Sequence, residues 1–168
     1  MGQGVLTDSR FADAGLARRG AGLHLADVAL SAIADEVGTP VYVYNAASIR
    51  ERYRSLDSAL AGVPHRICYA VKANSTLAVL RILRDLGAGA DIVSGGEMSR
   101  VLAAGFAPDR IVFSGVGKAT RELRQAVRAR LGHLNVESVE ELHRLAAIAE
   151  EERTDVAVGI RVNPDVTT

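Results

Sequence analysis

Few residues in this 168-residue chain combine a reactive side chain with a setting that could use it. The foremost is Lys72, in Tyr69-Ala70-Val71-Lys72-Ala73-Asn74. The apolar run 67–71 reads as a short buried strand with Lys72 at its end. Asn74, Ser75 and Thr76 suit the cap of a helix over residues 77–86. An amine at the mouth of an apolar strand can be desolvated and freed as a nucleophile, and its commonest covalent product is a Schiff base. The plain alternative is a solvated lysine at a strand end. Asp91 stands beside Ile92 and Val93 in a second apolar run, where a carboxylate needs a partner. A nearby protonated lysine could serve, as could a purely structural pairing. Arg161 sits in Val158-Gly159-Ile160-Arg161-Val162 and calls for an anion, either a structural carboxylate or a phosphate.

Other candidates are weaker. Ser94-Gly95-Gly96-Glu97 could open a helix toward an anion, but a capping box between Ser94 and Glu97 is the favoured reading. Ser114-Gly115-Val116-Gly117-Lys118 lacks phosphate-loop spacing and reads as a strand-top loop. The four histidines are scattered without metal-site spacing, and Cys68 is the sole cysteine, so no metal centre and no internal disulfide are expected. No Ser-His-Asp arrangement can be assembled. Glu150-Glu151-Glu152 reads as a solvated helix end.

The elements that must carry these residues follow a regular pattern. Strand-like runs cover residues 67–71, 90–93, 110–113, 133–136 and 155–162, and helix-like runs cover 77–86, 95–104, 120–130 and 138–151. Ser138 with Glu141 forms a second capping box, and Gly87, Gly105 and Gly132 sit where helices should stop. Strands spaced by roughly 20–25 residues imply repeated βα units and a parallel sheet. The expected fold is therefore α/β, a (β/α)₈ barrel present as about four βα units plus a fifth strand; an open doubly wound sheet is the runner-up. A whole barrel takes about 250 residues, which suggests the front part of a longer protein. Upstream, residues 1–22 show no clear period, and residues 23–28 read as a strand or the lead into a helix reaching residue 36. Gly38-Thr39-Pro40 is a breaker, and residues 41–44 look β-prone. Asn45 should cap a helix over 46–60.

Composition narrows the function classes. Twenty basic and twenty acidic residues cancel, so neither nucleic acid nor an anionic membrane is the expected partner. Aromatic residues make up 4% and tryptophan is absent, which disfavours base stacking. No run reaches membrane-spanning length and no signal-peptide pattern opens the chain. A cytoplasmic protein is expected.

From about residue 39 onward the chain resembles the diaminopimelate decarboxylases, pyridoxal phosphate (PLP) enzymes with an alanine-racemase-like barrel. GTPVYVYN, YAVKAN, GADIVSGGE, RIVFSGVGK, HLNVES and RVNPD carry the resemblance. It implies PLP as cofactor, joined to Lys72 as the catalytic residue. It matches Asp91 and Glu97 to acidic residues near that lysine, and Arg161 to a strand-end arginine of the cofactor pocket. It further implies decarboxylation of meso-diaminopimelate to L-lysine by a homodimer. Residues 1–38 would be an arm packing with a later β-domain, and residues 39–168 the first part of the barrel. Decarboxylases of ornithine, arginine or carboxynorspermidine share the lysine motif, and a PLP-binding barrel without catalysis is the remaining alternative. The family's ring-stacking histidine, phosphate loop and pyridine-nitrogen glutamate have no match here, so the isolated chain is expected to be inactive.

Overall fold

The computed structural model describes residues 15–164. The chain divides into two compact units, one ending at Ser58 and one starting at Ala59. The first begins with an antiparallel hairpin. Strand β1 (Leu16–Arg19) pairs with β2 (Gly22–Leu25), with Leu16 opposite Leu25. Gly20 takes a φ of +60° in the turn, a conformation glycine reaches without steric cost. β2 then pairs with β3 (Val28–Ala29), which runs into helix α1 (Leu30–Val37). Part of the stretch without apparent period is therefore a hairpin, held by its turn and by an Arg19–Asp27 ion pair of 2.9 Å. Residues 1–14 lie outside the described residues. Residues 41–44 form no strand, and Tyr42 is 90% exposed. Among the described residues no strand pairs with them, and β propensity acts through such neighbours. Asn45 caps α2 (Ala46–Ala59) through Oδ1, which accepts the Ala47 N–H at 2.9 Å.

The second unit is a parallel sheet in unbroken order: β4 (Cys68–Ala70), β5 (Gly89–Ile92), β6 (Ile111–Phe113), β7 (His133–Val136) and β8 (Val158–Ile160). Helices α3 (Leu77–Asp85), α4 (Gly95–Ala103), α5 (Thr120–Arg128) and α6 (Val139–Glu151) connect successive strands. Sequential parallel strands joined by single helices are the wall of a βα barrel, here an incomplete one. The core lies between sheet and helices. Ala90, Ile92, Ile111, Phe113, Leu134 and Val136 are buried, as are Leu80, Val101, Leu123 and Leu145 from the helices. Alternate residues point to the opposite face, and register aligns them in a row: Ala70 beside Asp91, Asp91 beside Val112, Val112 beside His133. No helix among the described residues is long and apolar enough to cross a membrane.

The serine half of each expected capping box forms, Ser94 Oγ accepting from Glu97 N at 3.2 Å and Ser138 Oγ from Glu141 N at 3.1 Å. The glutamate half shifts back one residue, Glu97 taking the Val93 N–H and Glu141 the Glu137 N–H. Gly87 and Gly105 stop their helices with φ of +89°. Gly132 does not play that part. After α5 the left-handed residue is Arg130, with φ of +55°. Gly132 instead donates its N–H to Pro108 O at 2.9 Å, and a Cβ at this position would run into the Asp109 carbonyl. Backbone cannot retreat as a flexible side chain can. Gly132→Ala is therefore expected to lower stability by about 1–3 kcal/mol, read as a lower urea midpoint.

Candidate active site

The strand that leads to Lys72 is shorter than its apolar run suggests. β4 ends at Ala70, and Val71–Ala73 form a single 3₁₀ turn. Asn74 N closes the turn on Val71 O at 3.1 Å, and Tyr69 Oη donates to Asn74 O at 3.2 Å. Lys72 is thus carried past the strand end and is exposed, so the expected desolvation of its amine is not met in this chain. Its side chain lines a cavity of about 460 Å³ together with Asp91, Ser114, Asn135, Glu137 and Arg161, with Val93, Gly115 and Ile160 completing the wall. The volume lies within the usual range for small-ligand sites, roughly 300–1,000 Å³. Every polar member stands in or just past a strand at its C-terminal end, where the loops of such barrels gather their chemistry. A groove of about 540 Å³ along α6, lined by Leu142, Leu145 and Val156 among others, holds no lysine.

Asp91 finds its partner in Ser114 at 2.6 Å, rather than in a lysine. Asn135 Nδ2 donates to the same hydroxyl at 3.0 Å, so the single Ser114 proton is directed onto Asp91 Oδ1. The result is a line of hydrogen bonds across β7, β6 and β5 that fixes the carboxylate in the cavity. Asn135 also leans over Gly159, where a Cβ would lie 2.5 Å from its Oδ1. Arg161 departs from expectation. β8 stops at Ile160, and the Arg161 side chain is 55% exposed. Its Nη1 lies 3.3 Å from both carboxylate oxygens of Glu137, which is 10% exposed. Glu97 turns away from this cavity. Its Oε2 accepts the Val93 N–H at 2.8 Å, a backbone role at the start of α4.

Lys118, in a stretch whose sequence predicts a strand-top loop, is buried, its side chain 1% exposed. Its ammonium donates to Gly115 O at 2.8 Å, Asn135 O at 2.7 Å and Glu141 Oε1 at 2.7 Å. The chain holds two lysines. One has its protons committed in the protein interior, which leaves Lys72 as the lysine exposed at the cavity. Burial pushes the Cys68 thiol up, which makes it a poorer nucleophile.

Neighbouring loops are stitched by another first-turn glutamate. Glu122 accepts the Ala119 N–H at 2.9 Å and the Gly95 N–H at 2.7 Å. The Ala119 and then the Gly95 hydrogen bond hold its carboxyl below the usual glutamate range. A carboxyl depressed in the folded state contributes stability above its unfolded value, and that contribution fades as pH falls through the folded one. Glu122→Gln is expected to flatten the loss of stability between about pH 5 and pH 3, read from urea midpoints along a pH series. The acidic run at the end of α6 is likewise more engaged than expected. Glu151 and Glu152 take Arg124 at 2.6 and 3.0 Å, and Glu152 also takes Arg128 at 2.9 Å.

The donor set fits pyridoxal phosphate. It offers an accessible primary amine for the aldehyde, a fixed carboxylate to face positive charge, and an arginine at the rim for an anionic group. A family model described as pyridoxal-dependent decarboxylase, pyridoxal binding domain, matches residues 46–168. The chain is 53% identical over 149 residues to a diaminopimelate decarboxylase of Pseudomonas fluorescens, covering 88% of this chain and 36% of that protein. Among solved structures, diaminopimelate decarboxylase from M. jannaschii in complex with L-lysine superposes with a TM-score of 0.87 at 30% identity, over 92% of this chain and 37% of that one. The Helicobacter pylori enzyme complexed with L-lysine gives 0.79 at 41% identity, over 82% and 35%. The chain spans about a third of the length of the curated relatives it matches. It belongs to the pyridoxal-dependent decarboxylases, as part of their pyridoxal-binding domain.

Proposed function

We propose that this chain supplies the cofactor-lysine side of a diaminopimelate decarboxylase, with meso-diaminopimelate as substrate and L-lysine as product. The observation that carries the reading is Lys72 on a polar cavity at the strand ends of a pyridoxal-binding wall, with the other lysine committed elsewhere. Pyridoxal phosphate, when bound, supplies the electron sink that decarboxylation of an α-amino acid requires. Lys72 would hold the cofactor through Nζ. Asp91, its carboxyl oxygen held by the Ser114 hydroxyl, would face the cofactor from the same cavity wall. Arg161 offers its exposed guanidinium to an anionic group at the rim, with Glu137 holding it in place. Glu97 supports this arrangement from behind, by fixing the backbone that leads out of β5. The relatives at 53% and 54% identity support diaminopimelate over ornithine, arginine or carboxynorspermidine as substrate. We further place the protein in the cytoplasm as a homodimer serving lysine biosynthesis, the setting in which such a biosynthetic enzyme would act.

The test is competition at Lys72. The chain is equilibrated with pyridoxal phosphate and graded meso-diaminopimelate, L-ornithine or L-arginine, then reduced with borohydride. Diaminopimelate is expected to suppress labelling of Lys72 at lower concentration than the other two amino acids. Equal suppression by all three would remove the substrate assignment.

A further inference from the structure

The Lys118–Glu141 pair is the most deeply buried charge on the described residues, and neither group takes part in the chemistry above. Lys118 spends its three protons on three different segments: Gly115 O in the loop after β6, Asn135 O in β7, and Glu141 in α6. Its ammonium lies 5.7 Å from the Phe113 ring centroid, a further favourable contact. Glu141 is 3% exposed and uses both oxygens, Oε1 for Lys118 and Oε2 for the Glu137 N–H at 3.0 Å. One fully satisfied ion pair therefore fixes the backbone at or next to Ser114, Asn135 and Glu137. Those three residues line the Lys72 cavity, and two of them form the line of hydrogen bonds onto Asp91. A buried pair of this kind is often no more stable than well-packed apolar residues of the same volume. Fold stability alone does not account for it.

We propose that Lys118, paired with Glu141, is a positioning residue: it sets the distance between the β6 loop and β7 at which Asn135 can direct the Ser114 hydroxyl onto Asp91. Gly115 makes that setting exacting. Its φ is +93°, and a Cβ there would lie 3.1 Å from Val93 Cβ, so the loop has little room to settle elsewhere. Without the ammonium, the Gly115 and Asn135 carbonyls lose their shared donor and the loop is free to part from the strand. The consequence reaches Asp91 two strands away, although Lys118 does not itself line the Lys72 cavity.

The experiment removes the pair together, as Lys118→Met/Glu141→Leu, because removing one charge would strand the other. The 168-residue chain is observed without cofactor, following the Asn135 side-chain amide by NMR and hydrogen exchange. Thermal unfolding and Arg124→Met serve as controls for fold and for surface charge. In the unaltered chain the Asn135 amide should be protected well beyond a free amide, and in the double variant it should exchange at least tenfold faster while the unfolding midpoint holds. Trapping of pyridoxal phosphate at Lys72 should slow in parallel. Only this trapping arm rests on the proposed function, so a failure of that reading leaves the amide result standing. An Asn135 amide that exchanges freely in the unaltered chain overturns the proposal. So does a folded double variant whose amide is unchanged, and so does a double variant that cannot fold, which would make the pair a requirement of the fold instead.

Discussion

Lys72→Ala is expected to reduce covalent capture of pyridoxal phosphate by the chain to background. Capture needs a primary amine in the cavity, and after this substitution the sole remaining lysine is Lys118. Lys118 is 1% exposed at its side chain and engaged with Glu141 and two carbonyls. Reaching an aldehyde would require breaking that whole arrangement and stranding the Glu141 carboxylate. The measurement is the near-ultraviolet and visible absorbance of the cofactor–lysine linkage, followed by borohydride reduction and protein mass. Because Lys72 is exposed, the alanine variant should keep the unfolding midpoint of the parent chain. Loss of capture with an unchanged midpoint separates chemistry from folding.

The largest stability effect is expected from Lys118→Met alone. It removes the positive member of a buried pair and leaves Glu141 charged in the interior, with Gly115 and Asn135 deprived of their donor. Breaking a buried pair on one side typically costs about 3–5 kcal/mol. For a small domain that corresponds to a fall on the order of 10 °C or more in Tm. Arg124→Met makes a useful contrast. It deletes a residue with two ion pairs to Glu151 and Glu152, but these groups are 31%, 58% and 20% exposed rather than enclosed like Lys118 and Glu141, so the loss is expected to be smaller. Parallel thermal scans of the two variants test the contrast. Similar midpoints would mean that Lys118 is less committed than its three short hydrogen bonds imply.

Much of the barrel wall was legible in the sequence because its signals are local. Apolar runs at regular spacing mark β4 through β8, and Ser94 and Ser138 announce helix starts that their own neighbours satisfy. Lys72 was legible for the same reason, since its neighbours share one short segment. What escaped depends on distant segments. Lys118 looks like an ordinary loop lysine until β7 and α6 close over it, and nothing near residue 118 in sequence announces Glu141. Asn135 drew no attention because a single amide in an apolar strand has no meaning until Ser114 stands beside it. The opposite error appears at residues 41–44, whose β-prone composition has no pairing strand among the described residues to act on. Arg161 falls between these cases. Its place at a strand end was readable, but its exposure was not, because β8 stops at Ile160, two residues before the run ends at Val162. Glu97 was legible as a cap residue, but its side chain takes the Val93 N–H, one residue before the Ser94 N–H that the capping box predicts.

The most direct test of the account is to locate the cofactor bond. The chain is incubated with pyridoxal phosphate, reduced with borohydride, digested and mapped by mass spectrometry. The account predicts a phosphopyridoxyl group on the peptide carrying Lys72 and none on the peptide carrying Lys118. A group on Lys118, or a chain that takes no label at either lysine, would contradict it.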